Sequence, residues 1–484
     1  MAGFKHGIGV TETPTALQSV AQVGADTPVI IGIAPIHLAS DPAEVNTPVY
    51  CNGLSDAVTR LGYSDDTATY TLCEGMYAYF KLYNVAPVVF INVLDPTKHK
   101  KVGTQTNPKL TNKVATITEP VILSSLKITD TTSATVLEKD KDFTASYNDN
   151  GELVITLLST ENTNSTTGIT VAYDQVDPAV VTKTDIIGGV DSLTGQRKGL
   201  EAVELVFPYY RVVPGILLAP KFSTDSEVAM ILSAKATGIN ACFNAMAYVD
   251  LPATEELKRY SDVPNYKSLH GYDNPNMQVH WPKVKLGSKI MHLSTLNAAL
   301  TYYVNATQGG DVPYISPSNK GLQIDGACDD AGNDIMLSLA DGNYLNGQGI
   351  STAMNWITGW VSWGNRTACY PANLDPKDNF NPLRRMANWI GATLINTYFS
   401  RVDSATTPRL AMQIVDTTNG WLAGLTAAGK LLGGRIEFIV DENPKTELID
   451  GHIRFHLYLG YEVPAEYIEF ALEYDTSYLS NLFQ

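Results

Sequence analysis

Residues 27–35 of the chain read TPVIIGIAP, an apolar run rich in β-branched residues and bounded by two prolines. A short apolar run without alternation is typical of a strand that is buried on both faces of a sheet. Residues 86–94, APVVFINVL, repeat this pattern, and between the two runs apolar residues recur at helical spacing in 55–63 and 71–85. Strand, helices and strand in this order predict an α/β unit with a parallel sheet.

The composition changes across residues 101–185, where Thr, Ser and Asn dominate and short stretches alternate between apolar and polar residues. Residues 149–151, Asp-Asn-Gly, are a strong signal for a β-hairpin turn. We therefore predict a small β-sandwich of about 80 residues that is inserted into the α/β domain. The α/β pattern resumes after it, so we expect a discontinuous core domain at 26–100 and 186–370.

The segment 371–464 predicts an α+β C-terminal domain. A long amphipathic helix is expected at 381–402, and clean alternation predicts two strands at Arg435–Val440 and His452–Leu459. The apolar residues of these receiving strands are Ile436, Phe438, Val440, Ile453, Phe455 and Leu457. A two-stranded sheet is only marginally stable and has two open edges, so we expect further strands to cover them.

Both ends of the chain also alternate like strands, and we assign arms to residues 1–25 and 465–484. The C-terminal arm strand runs from Tyr467 to Tyr474 and places Ile468, Phe470, Leu472 and Tyr474 on one side. The N-terminal arm strand runs from Phe4 to Thr11 and places Phe4, His6, Ile8 and Val10 on one side. The pattern alone is compatible with pairing inside one subunit and with strand addition to a neighbour.

The composition excludes several classes of function. The 484 residues include 34 Lys and Arg against 50 Asp and Glu, a net charge of −16, which argues against broad binding to nucleic acid or an anionic membrane. The first residues lack the features of a secretory signal, and the longest apolar runs are too short to span a membrane. Five scattered cysteines without a CxxC pair predict reduced, mostly buried thiols and synthesis in a cytoplasm.

No catalytic, metal or cofactor site is predicted. Residues 424–430, GLTAAGK, match a phosphate-binding loop, but Leu431 stands where Ser or Thr would hold Mg²⁺. His452 and His456 share one strand face, but the cation of Arg454 lies between them and disfavours a metal site. The alternative hypothesis is a soluble α/β enzyme with an accessory β domain that binds a nucleotide through Lys430. A third hypothesis is a static shell or surface-layer protein.

Several phrases together resemble one family from the first residues to the last. They are FKHGIGVTETPT (4–15), an insert containing DFTASYNDNGELVI (142–155), VPYISPSNK (312–320), WVSWGNRTACYP (360–371), NPLRRMANWIG (381–391) and GHIRFHLYLGYEVPAEYIEFALEYDTSYL (451–479). The chain thereby resembles the tail sheath proteins of contractile-tailed bacteriophages, in particular the Mu- and P2-like sheaths and the sheaths of related phage-like injection systems.

The resemblance implies a structural subunit that polymerises as stacked hexameric rings around an inner tube. It implies contraction from a metastable extended state, driving the tube through a bacterial envelope without consuming a nucleotide. Arms from neighbouring subunits are then expected to complete the C-terminal sheet, and the inserted β domain to face outward. Arg384 and Arg385, on a helix of the inner domain, are the candidates for facing the tube.

The resemblance also implies partners and a location. The partners are other copies of the chain, the inner tail tube protein, and the baseplate and tail terminator proteins, with no nucleic acid and no membrane insertion. The expected location is the virion, after assembly in the cytoplasm of the bacterial host.

Overall fold

The computed structural model describes residues 20–148 and 150–483. Before residue 100, strands alternate with helices, as the sequence predicts. The elements are β1 (Pro28–Gly32), β2 (Pro48–Cys51), α1 (Leu54–Leu61), α2 (Thr71–Met76), which a π-helical turn at Tyr77–Leu82 extends, and β3 (Val88–Asn92). Every residue of β1 and β3 is buried, which explains why these strands carry no polar alternation.

The next segment contains the strands of two small sheets. They are β4 (Lys100–Thr106), β5 (Val114–Ile117), β6 (Lys127–Asp130), β7 (Val136–Leu137), β8 (Phe143–Tyr147), β9 (Leu153–Leu157) and β10 (Ile169–Val176). One sheet has the order β4-β10-β6-β7 and the other the order β5-β9-β8. Phe143, Ile155 and Val171 belong to one hydrophobic cluster that both sheets share and that is separate from the cluster of the larger sheet. The sequence predicts an inserted β domain in this same segment.

After the insert the α/β pattern continues over about 200 residues. The elements up to residue 280 are α3 (Lys183–Ile187), β11 (Gly189–Val190), β12 (Arg197–Lys198), α4 (Val206–Tyr210), β13 (Ile216–Leu218), α5 (Ser226–Lys235), β14 (Thr237–Ile239), β15 (Phe243–Asn244), β16 (Met246–Asp250), α6 (Val263–Leu269) and β17 (Met277–His280). Those that follow are β18 (Lys283–Leu286), β19 (Lys289–Met291), α7 (Leu293–Val304), β20 (Gly326–Cys328), α8 (Leu339–Asn346), β21 (Ile350–Trp356), β22 (Gly359–Trp363) and α9 (Pro376–Asn379).

Eight strands from both sides of the insert form the central sheet, in the order β2-β3-β1-β13-β16-β17-β21-β22. Its six inner strands are parallel, whereas β2 and β22 close the edges with antiparallel pairing. Helix α7 is buried along nearly its whole length, as expected for a helix that covers a parallel sheet. The predicted fold class, α/β with several sheets, is confirmed.

The C-terminal part contains two long helices and two strands. The elements are α10 (Asn381–Tyr398), α11 (Pro408–Ala427), β23 (Gly433–Glu437), α12 (Lys445–Ile449), β24 (His456–Gly460) and a 3-10 helix at Thr476–Phe483. Helix α11 begins where the Thr407 side chain accepts a 3.1 Å hydrogen bond from the Leu410 N–H and Pro408 occupies the first turn. Strands β23 and β24 pair antiparallel, with Arg435 opposite Tyr458.

The predicted bounds of both receiving strands are wrong. The strands span Gly433–Glu437 and His456–Gly460 instead of Arg435–Val440 and His452–Leu459, and both are shorter than predicted. Ile436 and Leu457 lie in the strands, Phe438 and Phe455 flank them with their rings 5.9 Å apart, and Val440 begins a short 3-10 helix. Ile453 likewise lies outside the strands.

The side chain of Asn443 gives the physical reason for the shorter ladder. It donates to the carbonyls of Ile439 at 2.8 Å and Arg454 at 2.9 Å, and it accepts the Arg454 N–H at 2.7 Å. The Asn443 side chain therefore occupies backbone groups of Ile439 and Arg454 that a longer β23–β24 ladder would have used for hydrogen bonds between the strands.

None of the helices in the described ranges is long and apolar enough to cross a membrane.

Candidate assembly site

The C-terminal sheet consists of only two strands within the described residues. One face, with Ile436 and Leu457, lies toward helix α11, because the neighbouring Gly434 is in close contact with Leu422 of that helix. The other face carries Arg435, whose guanidinium lies 3.9 Å from the centre of the Tyr458 ring. A two-stranded sheet of this kind is marginally stable in water and needs support on its inner face.

That support comes from a hydrophobic cluster between helices α10 and α11. Trp389 and Trp421 lie with ring centroids 5.7 Å apart, and the sheet residues Leu457 and Leu459 pack against the same cluster. Its buried members are Ala25, Val312, Met386, Trp389, Ile390, Leu422, Leu425 and Leu431. Because Ala25 and Val312 precede the predicted C-terminal domain in the sequence, the sheet is fixed to the rest of the subunit.

The predicted C-terminal arm strand does not pair with its own subunit in the described structure. Residues 461–475 have no regular secondary structure, and within the described ranges their backbone forms no hydrogen bond with another segment. All four residues of the predicted apolar side are exposed, with Phe470 at 83% and Leu472 at 97%. Large apolar side chains in a row are rarely left in water on a monomeric protein, so this segment is a candidate interaction surface.

The arm is held at its root. The guanidinium of Arg366 binds the carboxylate of Glu466 with contacts of 3.1, 3.2 and 2.5 Å, in the forked geometry that gives arginine–carboxylate pairs their directionality. Arg366 is itself held by Asn379 at 2.7 Å and lies 3.7 Å from the centre of the Phe380 ring. The part of the arm that no such clamp holds therefore begins at Tyr467.

The N-terminal arm strand, with Phe4, His6, Ile8 and Val10, lies outside the described residues. The described end of that arm runs along helix α10. The Trp389 indole donates to the Val23 carbonyl at 2.8 Å, and the Ala21 N–H donates to the Thr397 hydroxyl at 3.1 Å. The first described residues therefore lie near the C-terminal end of α10, whereas the clamp on Glu466 lies next to Phe380 at its start.

The tube-facing prediction is wrong for Arg385, which is fully buried. Its guanidinium pairs with Asp26 at 2.5 Å and donates to the Ile315 carbonyl at 2.7 Å and to the Asn305 side-chain oxygen at 3.3 Å. Arg385 thus links α10 to the base of β1 and to the end of α7. No feature of the helical pattern distinguishes it from its neighbour, because its partner Asp26 lies 359 positions away in the sequence.

Arg384 is half-buried and stays near the surface of the same helix. It pairs with Asp378 at 3.1 Å and donates to the Asn388 side-chain oxygen at 2.8 Å. These bonds fix its orientation, and its tube-facing role remains a prediction.

Two motifs that suggested chemistry do not form sites. The phosphate-loop match at 424–430 occupies the end of helix α11 and the turn after it, whereas a phosphate cradle needs the start of a helix. His452 and His456 are each paired with a carboxylate, that of Glu447 at 3.0 Å and that of Glu442 at 2.9 Å. Within the described ranges no group of three or more potential metal ligands occurs.

Ionisable groups do come together inside the large domain, but they are enclosed. The His292 ring pairs with the Glu74 carboxylate at 2.8 Å, and Asp250 accepts the Ser294 N–H at 2.9 Å. Burial lowers the pKa of His292, but the neighbouring Glu74 carboxylate has the larger effect, so the pKa of His292 is raised. Burial also raises the pKa of Asp250. Because Glu74, Asp250 and Ser294 are almost wholly excluded from solvent, this cluster is an internal polar network.

Curated proteins with similar sequences are named tail sheath proteins. The tail sheath protein of Burkholderia phage BcepMu is 28% identical to this chain over 99% of both sequences. The chain is a homologue of phage tail sheath proteins. The major tail sheath protein of Serratia phage KSP20 is 33% identical over a shorter stretch, 23% of this chain and 27% of the phage protein. No model of a known protein family matches the chain.

Solved structures agree at the level of the fold. The helical sheath of the anti-feeding prophage in its contracted state aligns with a TM-score of 0.56, 13% identity, and coverage of 97% of this chain and 99% of that one. The sheath complex of an extracellular contractile injection system (PVC), also contracted, aligns with a TM-score of 0.55, 13% identity, and 99% coverage of both chains. The resemblance read from the sequence is therefore confirmed.

Proposed function

We propose that this chain is the structural subunit of a contractile tail sheath and that exchanged arms join its copies. The single observation that carries the proposal is that the described part of one chain contains both an incomplete sheet and an unpaired strand-like segment. Among the described residues, the sheet of β23 and β24 has too few strands, and the segment 467–474 has a strand-like sequence but pairs with no other strand. Strand addition between copies resolves both defects.

The energetics favour a polymer over an isolated pair. Burying the four apolar residues of the arm contributes roughly 6–12 kcal/mol, and about six ladder hydrogen bonds add roughly 1 kcal/mol each. Ordering about eight residues costs roughly 1–2 kcal/mol apiece. One arm alone is therefore close to break-even, whereas a lattice in which every subunit gives and receives arms gains through effective concentration.

The two arms leave the subunit at opposite ends of α10, which favours contacts with two different neighbours. Their described exits lie near Thr397 and next to Phe380, about 25 Å apart along a helix that rises 1.5 Å per residue. Each copy then links at least two others, as a closed or helical array requires. The arrangement is one of stacked hexameric rings around the inner tube, joined to baseplate and terminator proteins.

Contraction is a rigid-body rearrangement in this proposal. The subunits swing about the connectors at 14–20 and 461–465, because residues 21–25 are bound to α10 and Gly460 belongs to β24. The exchanged strands stay paired, so the lattice changes shape without coming apart. The metastable extended state then drives the tube through the bacterial envelope without a cofactor or a nucleotide. The inserted sheets of 100–176 face outward, and the assembled sheath is part of the virion after assembly in the host cytoplasm.

Electron microscopy of the purified protein tests the proposal. Full-length protein is expected to form tubes or stacked rings, and deletion of 467–484 is expected to leave folded, soluble monomers. Two helical lattices of the same subunit, one long and narrow and one short and wide, distinguish a contractile sheath from a static shell. Normal polymers of the truncated protein would contradict the arm exchange.

A further inference from the structure

The two edges of the C-terminal sheet are chemically different. On the β23 side, the Ile436 N–H donates to the Asn419 side-chain oxygen at 2.8 Å, and the Asn419 amide donates to the Ile436 carbonyl at 3.1 Å. One side chain of helix α11 thus binds both backbone groups that an incoming strand would need at this position. Covering an edge in this way is one of the means by which proteins prevent unwanted strand pairing.

At the β24 edge of the sheet, the backbone N–H and C=O groups are available to an added strand. Because the N–H and C=O of Ile436 point away from β24, Ile436 and its opposite residue Leu457 form a non-hydrogen-bonded pair. The N–H and C=O of Leu457 therefore point outward from the other edge, and those of Leu459, two residues on, do the same. Within the described residues, no group bonds these outward-pointing atoms of Leu457 and Leu459.

The side chains along β24 match the arm in polarity. Leu457 and Leu459 face the cluster between α10 and α11, whereas Tyr458 lies on the outer face beside Arg435. A strand added to β24 can continue this division, with its apolar side toward α11 and its other side outward. In the arm, the apolar side is Ile468, Phe470, Leu472 and Tyr474, and the other side carries the carboxylates of Glu469 and Glu473.

Charge favours the same orientation. On the outer face of the sheet, the guanidinium of Arg435 is more than half exposed and already pairs with Glu437 at 2.8 Å, so Glu469 and Glu473 of an added strand would stay in solvent on this face. The reverse orientation would bury both carboxylates against the apolar cluster, at a large desolvation cost.

We infer that residues 467–474 of a second copy add to β24 and not to β23, and that Asn419 is the residue that closes the β23 edge. The inference rests on the proposed arm exchange and adds the edge, the facing residues and the excluding side chain. A second arm must then add outside the first, so that the completed sheet has the order β23, β24, first arm, second arm.

Disulfide crosslinking in assembled particles tests the choice of edge. Tyr458→Cys on β24 and Arg435→Cys on β23 are a matched pair, because the two residues lie directly opposite each other. A strand beside β24 runs about 5 Å from residue 458 and about 10 Å from residue 435, and a disulfide needs Cα atoms within about 7 Å. Each variant is combined with Glu469→Cys, Ala471→Cys or Glu473→Cys, which sample every register of that arm face.

All variants carry Cys242→Ser, since Cys242 is the exposed cysteine among the five. To show exchange between copies, sheet and arm cysteines are placed on separate proteins that are mixed before assembly. The readout is the fraction of crosslinked dimer after mild oxidation. If a variant at 458 or 435 does not assemble, the opposite pair His456→Cys and Glu437→Cys replaces it.

We expect crosslinks from position 458 with at least one arm cysteine and at least tenfold fewer from position 435. Strong crosslinks from 435 with none from 458 would overturn the edge assignment and leave the proposed arm exchange standing. Normal particles without crosslinks from either edge would overturn both the assignment and the arm exchange at this sheet.

Asn419→Ala tests the excluding side chain itself. Removal of the amide frees the N–H and C=O of Ile436, so position 435 is expected to begin to crosslink in this background while position 458 continues to do so. Unchanged crosslinking from 435 would show that helix α11, and not the Asn419 amide, closes the edge.

Discussion

Replacement of Phe470 by alanine is expected to weaken assembly strongly without weakening the subunit. The Phe470 side chain is 83% exposed in the described chain, so its removal deletes almost no contact within the subunit. In the proposed polymer the same ring lies against α11 of a neighbour, where full burial of a phenylalanine contributes about 1.5–3 kcal/mol. Since 1.4 kcal/mol corresponds to a factor of ten, the critical concentration should rise roughly 10- to 100-fold.

The assay is sedimentation of polymer over a dilution series, with electron microscopy of the pellets and thermal unfolding of the soluble fraction. Glu469→Ala is the matched control, because its side chain is also exposed but belongs to the other side of the alternating segment. It is expected to change the critical concentration by no more than a few-fold, since an exposed ion pair contributes less than about 1 kcal/mol. Equal shifts for the two variants would refute the assigned face, and an unchanged critical concentration for Phe470→Ala would refute the role of the arm.

Three further predictions concern the root of the arm, the buried ion pair and the response to acid. Arg366→Ala releases Glu466, so the lag before polymerisation, followed by light scattering, should lengthen several-fold while the final polymer keeps its shape; an unchanged lag would contradict an orienting clamp. Arg385→Met leaves Asp26 buried without its partner and should lower the free energy of unfolding in urea by about 3–5 kcal/mol, whereas a loss under 1 kcal/mol would contradict a structural role. Burial lowers the pKa of His37 from 6.5 to about 4, so between these pH values the unfolded chain binds a proton that the folded chain does not. The free energy of unfolding should therefore fall by up to about 3 kcal/mol as the pH drops from 6.5 toward 4. His37→Gln should reduce this dependence of the free energy of unfolding on pH in urea titrations, and an unchanged dependence would refute the assignment to His37.

The sequence predicts those elements whose own residues determine their environment. Strands β1 and β3 are visible as unbroken apolar runs because a central parallel strand is buried on both faces. The C-terminal arm is visible because strict alternation persists in a segment that pairs with no strand among residues 20–148 and 150–483. Both signals are local, so no knowledge of the tertiary structure is needed to detect them.

The features that the sequence does not predict depend on contacts between distant residues. The burial of Arg385 follows from Asp26, which precedes it by more than 350 positions. The true end of the β23–β24 ladder depends on the Asn443 side chain, and the difference between the two sheet edges depends on Asn419. An asparagine that binds backbone groups in a loop or at a strand edge looks, in sequence, like any other polar surface residue.

The central claim is that each subunit completes its C-terminal sheet with a strand from another copy. A cryo-electron microscopy reconstruction of the assembled protein, with the chain traced continuously from Gly460 to Leu479, tests it most directly. We predict that residues 467–474 lie in the sheet of a different subunit, paired with its β24. A trace in which these residues return to the sheet of their own subunit would contradict the account.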